Sequence, residues 1–289
     1  MIGDFLASWP LFQHAYLGGW MLAILLALLG VQLVARDQIF FGAAVAQAST
    51  LGIAIALVTA AWHPFGWHLH HTEWYPRLWA VACSVLAAMS IEFAAGRRES
   101  REAVTGFIFI FASAAAMVLV ARSPFGLDEV QRLLASSLIG ATALDVRMLS
   151  ILLAATVLLI AMHRNRLLLL AIDPACAAAA GVRVRAWSIA LAAWFAIVTG
   201  LSIRTAGLLY TFGCLILPVL AAKQLAREMR TLFWLAPLLG LGCAILAFLC
   251  AHTWDYPSAQ LAALFQGALL ALLWLVRAVA RRRGPTRTN

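Results

Sequence analysis

Charge is scarce in this chain. Asp, Glu, Lys and Arg make up 11% of its 289 residues, where a soluble domain carries about 25%. That shortage argues against a soluble enzyme, a nucleic-acid-binding module and a disordered scaffold. No CxxC pair is present either. Cys83, Cys214, Cys243 and Cys250 sit inside apolar runs and Cys176 in an Ala-rich stretch. Such scatter encodes neither a disulfide framework nor a zinc knuckle, and the five read as small apolar fillers. There is no GxxxxGK[ST] nucleotide loop, no HExxH and no GxSxG. The first residues, MIGDFLASWP, have no basic start and carry Asp4, so no cleavable signal is expected.

What the chain has in excess is apolar surface. Hydrophobic residues form 64% of the 289, against roughly 45–50% in soluble domains. At ~20 residues per crossing, that is material for about nine membrane helices. The apolar runs place them near 14–35, 41–62, 76–95, 104–121, 146–162, 187–202, 206–222, 232–252 and 258–277. An odd number puts the two termini on opposite sides. The basic residues then orient the chain. Sixteen of the 21 fall on one side: Arg36, Arg97, Arg98, Arg101, Arg164, Arg166, Arg183, Arg185, Lys223, Arg227, Arg230, Arg277, Arg281, Arg282, Arg283 and Arg287. Arg77, Arg122, Arg132, Arg147 and Arg204 fall on the other. By the positive-inside rule the first side is cytoplasmic, with the N-terminus outside and the C-terminus inside. The expected architecture is an all-α, multi-pass protein of the inner (plasma) membrane. Residues 1–280 form one transmembrane domain and 281–289 a basic, solvated cytoplasmic tail. Ala44, Ala48 and Gly52 in the second span form a small-residue stripe suited to close helix contact.

The connector LLLLAIDPACAAAAGVRVR, between the fifth and sixth spans, is the most informative segment. Asp173 suits an N-cap, Pro174 the first helical position, and Gly181 a left-handed terminator. Together they predict a two-turn stub helix on the cytoplasmic side. Free in water such a helix is marginal, so it reads as a docking element. Four stretches then resemble one family, the membrane permease subunit of the bacterial metal-ion ABC transporters (the zinc, manganese and iron uptake group). AIDPACAAAAG, from Ala171 to Gly181, is similar to that family's AFDPELARALG. TAGLLYTFGCLILPVLAAKQLA matches its seventh-span motif, with Gly207 and Pro218 at the family spacing. PSAQLAALFQG, from Pro257 to Gly267, and REAVTGFIFIFASAA, from Arg101, complete the set. The resemblance covers nearly the whole chain. It implies an importer subunit that binds no cofactor of its own. A cytoplasmic ATPase subunit uses the ATP and docks on the Asp173–Gly181 helix. An extracytoplasmic metal-binding protein and a second permease copy, identical or closely related, complete the assembly.

In the second span the family reads FLGDALSHAALPG, with an Asp and a His one helical turn apart that help pass the ion. This chain reads FFGAAVAQASTLG from Phe40. Ala43 stands at the Asp position and Gln47 at the His position, while Gly42 and Gly52 keep the register. Gln47 offers a neutral carbonyl oxygen and two donors, and Ser49 and Thr50 add hydroxyls. Ala43, Gln47, Ser49 and Thr50 are therefore the expected pathway positions. The alternative for Gln47 is a hydrogen bond to a neighbouring helix.

Six of the seven histidines fall near the outer face: His14, His63, His68, His70, His71 and His252; only His163 is inner. His63, His68, His70, His71 and Glu73 share one external loop and are candidate metal ligands. The competing reading is an interfacial loop, with Trp67, Trp74 and Tyr75 at headgroup depth. Glu92 is expected to pair locally with Arg97 or Arg98. An ion-coupled secondary carrier or channel is the main alternative function, and it would need ionisable groups at mid-membrane that these spans lack. A membrane enzyme is a weaker one, because no catalytic constellation accompanies the histidines.

Overall fold

The structure is a computed structural model that describes residues 2–62, 74–94, 100–121 and 138–283. Among these the elements are α1 (Ile2–Ala35), α2 (Ile39–Trp62), α3 (Trp74–Ala94), α4 (Arg101–Ala121), a 3-10 turn (Leu138–Gly140), α5 (Ala143–Ile172), α6 (Pro174–Ala179), α7 (Val184–Leu225), α8 (Met229–Trp254) and α9 (Ser258–Arg283). All except α6 and the 3-10 turn are long and apolar enough to cross a membrane, eight helices in all. The external loop with His63, His68, His70, His71 and Glu73 lies outside the described residues. So do Arg97, Arg98 and the tail beyond Arg283.

The sequence places separate spans at 187–202 and 206–222, whereas the structure has one helical run, α7, of 42 residues. Straight, it would measure roughly 63 Å, twice the hydrocarbon thickness of a bilayer. It is not straight. Gly207 takes φ 76° and ψ 175°, a conformation open to a residue without Cβ, and the chain doubles back there. The packing demonstrates the reversal. A Cβ on Gly42 would lie 2.8 Å from Leu215 Cδ2 and 3.6 Å from Phe195 Cζ, so residues 20 apart in sequence sit at one depth. The first arm, 184–206, runs alongside α2: Phe195 meets Phe41 with ring centroids 5.5 Å apart, and Ser49 Oγ donates to Gly200 O at 3.4 Å. The second arm, 208–225, runs alongside α1. Tyr210 OH donates to Gly19 O at 2.7 Å, and Val219 and Ala222 pack with Val31 and Val34. Seven long helices and one folded helix thus give the nine crossings read from the sequence. Similarly, α5 continues past the expected end at 162. It bends at His163 (φ −116°, ψ 17°) and runs on to Ile172.

The two arms of α7, with α1 and α2, form the centre of the bundle. Their packing relies on small residues, as the stripe on α2 predicts. Ala44 and Ala48 are buried, Ala48 against Ala87 of α3 and Ala112 of α4. A Cβ on Gly52 would collide with the carbonyl of Trp79, so only glycine lets α2 and α3 approach this closely. The outer helices α4, α5, α8 and α9 present large apolar side chains outward, among them Phe107, Ile151, Trp234 and Leu272, where lipid rather than water is the fitting solvent. The described basic residues of the larger set gather at one end. Arg36, near Glu92, faces Ser188, Arg166 and Arg183 share a recess, and Arg277 donates to Gln224 Oε1 at 3.0 Å.

Candidate functional site

Two regions carry the expected functional residues. The first is one face of α2. Helical periodicity puts Ala43, Gln47 and Thr50 within a narrow arc, and all three are half-buried while their neighbours Ala44, Val45, Ala46 and Ala48 are enclosed. Phe40 extends the same open strip towards the helix start and is exposed. Ser49 does not join them. It points to the other side of α2, is completely buried, and bonds to Gly200 of α7. Thr50 donates its hydroxyl to Ala46 O, one turn back, at 3.2 Å. The open strip therefore offers one amide and one hydroxyl, and no charged group.

The second region is the connector. Asp173 is the N-cap of α6. Its Oδ1 accepts from Ala175 N at 2.8 Å and Cys176 N at 3.2 Å, and Pro174 holds the first helical position. A further hydrogen bond from the Cys176 thiol, together with these backbone donors, holds the Asp173 carboxyl below its ordinary range. The thiol is pushed up in turn by the neighbouring carboxylate. Gly181 closes the element at φ 79°, and Val182 N donates to Ala177 O at 3.0 Å. Ala177 is buried against the body of the protein, whereas Ala175, Cys176 and Ala178 are exposed. Beside the stub lies a recess of about 250 Å³ lined by Arg166, Gly181, Arg183 and Trp187. Trp187 also packs on His163, with ring centroids 4.8 Å apart, which ties the bend in α5 to the start of α7.

One buried ion pair escapes the sequence reading, and a second has a different partner from the one expected. Arg77 of α3 pairs with Asp145 of α5 at 2.7 Å, with both side chains largely buried. Asp145 also accepts from Thr142 N in a capping box, and the Thr142-x-x-Asp145 spacing is the signal that reveals it. At the opposite end Glu92 pairs with Arg101 across α3 and α4 at 3.2 Å, three residues beyond Arg98, the nearer of the two arginines expected from the sequence. Arg36 and Gln32 adjoin this pair around a cavity of about 40 Å³, room for a water molecule. Their one-turn spacing, Gln32 to Arg36, marks them on the same face of α1. Among the described residues the buried charges thus lie towards the two ends of the bundle, and no group of three or more His, Cys, Asp or Glu could hold a metal. His252 packs against Phe12 with ring centroids 6.5 Å apart, and His163 against Trp187.

A multi-pass helical permease with a capped stub helix between its fifth and sixth crossings is the class these observations define. The family model of the ABC 3 transport family matches residues 8–277, and the chain belongs to that family. It is 25% identical over 252 residues to the "probable metal transport system membrane protein" of Thermotoga maritima, covering 87% of this chain and 85% of that one. It is 23% identical over 270 residues to the manganese transport system membrane protein MntC of Halalkalibacterium halodurans, covering 93% and 88%. The fold is also that of PsaBC from Streptococcus pneumoniae, solved in complex with a Fab, with a TM-score of 0.79, 18% identity and 95% of both chains covered. The protein is accordingly an integral protein of the inner membrane and a transport-family permease.

Proposed function

We propose that this chain is the membrane subunit of an ATP-binding-cassette importer for a divalent metal ion, or a small complex of one. The open strip of α2 lines its pathway. Residues 1–280 act as a single permease domain, with the basic tail 281–289 and the stub helix at the cytoplasmic face and the N-terminus outside. The observation that carries the reading is the strip itself: Ala43, Gln47 and Thr50 stay half-open on a helix otherwise enclosed on its small-residue side. A second copy facing this strip would complete a channel. A separate ATPase subunit would grip the stub at Asp173–Gly181 and the adjoining recess. An extracytoplasmic binding protein would deliver the metal at the other end. Nucleotide binding then biases inward- and outward-open states through that helix, and the subunit itself is not an enzyme.

Names of relatives that refer to metal and manganese transport support the cargo class. The chemistry of the strip narrows it. Carbonyl and hydroxyl oxygens suit manganese better than zinc, which favours imidazole and thiolate. With no charge on the strip, the ion crosses partly hydrated and Gln47 replaces part of its water shell. The external histidines 63, 68, 70 and 71, with Glu73, serve as a capture site outside the pathway. Uptake of labelled manganese by vesicles holding the assembled importer tests this directly. Gln47→Leu should lower the rate several-fold, and an unchanged rate removes Gln47 from the pathway. Replacing the four loop histidines with Ala should lower uptake only at limiting metal; equal uptake there removes the loop from the mechanism.

A further inference from the structure

Outside this pathway a groove of about 520 Å³ on the outer surface of the bundle is unexplained. Its floor is α1, at Ile24 and Leu28; α5 forms one wall and α8 the other. The lining is apolar over most of its length, yet one end carries Arg164 of α5 and Arg230 of α8. Both arginines are exposed, and neither takes part in an ion pair or hydrogen bond with a described residue. Arg230 is the second residue of α8, and Phe233 and Trp234 follow one turn deeper. Arg164 comes just after the bend at His163, and α5 projects beyond it to Ile172. The two charges thus sit at the rim, at the end of the bundle that holds the stub helix, while the apolar floor lies deeper in the membrane. Trp234 is 84% exposed and extends the wall outward.

We infer that this groove is a binding site for an anionic glycerophospholipid. One acyl chain lies along Ile24, Leu28 and Phe233, and the headgroup phosphate rests between Arg164 and Arg230. Two unpaired cations at headgroup depth above an apolar slot between helices match that ligand in both shape and charge. Arginine suits the phosphate because its planar fork offers paired donors. A zwitterionic lipid would fill the slot equally well but would leave part of the positive charge uncompensated. The inference does not depend on which ion is carried.

The test uses the full chain, purified in detergent and stripped of lipid. It is titrated with dioleoyl phosphatidylglycerol or dioleoyl phosphatidylcholine, and bound lipid is counted by native mass spectrometry alongside thermal unfolding. The expected result is a preference for phosphatidylglycerol. It should fall roughly fivefold with Arg164→Ala or Arg230→Ala, since a basic residue near a membrane surface contributes that much, and vanish in the double variant. Arg185→Ala/Arg227→Ala, which changes two exposed arginines outside the groove, should keep it. Equal binding of the two lipids by the unmodified chain overturns the site. So does a preference that survives the double variant, or one lost equally in the control. Inorganic phosphate should raise the unfolding temperature of none of them; a rise as large as that with phosphatidylglycerol would mean an anion site without a lipid.

Discussion

The connector at Asp173–Gly181 and the open strip of α2, proposed to meet the ATPase and to pass the cargo, are specified by opposite means. The connector is specified residue by residue. A capping carboxylate, a proline at the first position and a glycine at φ 79° each do what their chemistry dictates, and the result is a short helix that buries Ala177 and leaves Ala175, Cys176 and Ala178 exposed. The α2 strip is specified by what surrounds it. Small residues seat the helix on α3 and α4, and the remaining face is left open with a single amide and a single hydroxyl. At the proposed docking element local structure is tightly determined. Along the proposed pathway the chain fixes the scaffold and leaves the surface neutral. A neutral strip holds an ion loosely, and loose binding is compatible with rapid release.

The largest effect should come from breaking the seat of α2. Gly52→Leu drives a side chain into the backbone of Trp79, and overpacking of this kind costs about 3 kcal/mol. Thermal unfolding in detergent should drop sharply and membrane yield should fall. A normal melting point would mean that α2 and α3 are not packed as described. Next comes Gly181→Val. A branched residue is strained at this left-handed position by about 1–2 kcal/mol, so stimulation of the partner ATPase should fall about tenfold while the melting point hardly moves. Unimpaired stimulation would show that the stub is a passive connector.

A more moderate change sharpens the other side of the comparison. Ala43→Asp with Gln47→His places a carboxylate and an imidazole on the strip. Zinc should then bind more tightly and compete with manganese for uptake, with binding read by isothermal titration. No gain in zinc affinity would mean that the two positions do not face a common space. The smallest effect concerns pH. The Asp173 carboxyl is held below its ordinary range, so its capping contribution is fully present above the ordinary carboxylate pKa of about 3.9. It is lost only as pH falls through the lowered value. ATPase coupling should therefore show no Asp173-dependent change between pH 5 and 8, and Asp173→Asn, which caps comparably, should be near silent there. Coupling that declines between pH 6 and 5 in the parent and not in Asp173→Asn would contradict the cap.

Much of the scaffold is legible in the sequence because its causes are local or periodic. Long apolar runs mark the crossings, and Asp173, Pro174 and Gly181 mark the stub to the residue. The reversal in α7 is legible as the break between the apolar runs 187–202 and 206–222, at Ser202, Arg204 and Thr205. Its exact place and geometry are not, because a positive φ at Gly207 leaves no signature beyond the glycine itself. Ser49 stands beside Gln47 and Thr50 in sequence, yet helical periodicity sends it to the opposite side. The pairing of Glu92 with Arg101, and of Arg77 with Asp145, depends on which helices become neighbours. That information is tertiary, and neither charge pattern nor spacing carries it.

The claim at the centre is that ATP hydrolysis by a partner, coupled through the stub helix, moves a divalent metal along α2. It is tested most directly by the ATPase rate of the reconstituted complex with its binding protein, measured across manganese, zinc and iron and without metal. Metal-loaded binding protein should stimulate the rate, most strongly with manganese and less in Gly181→Val. A rate that is the same with every metal and with none would contradict that claim.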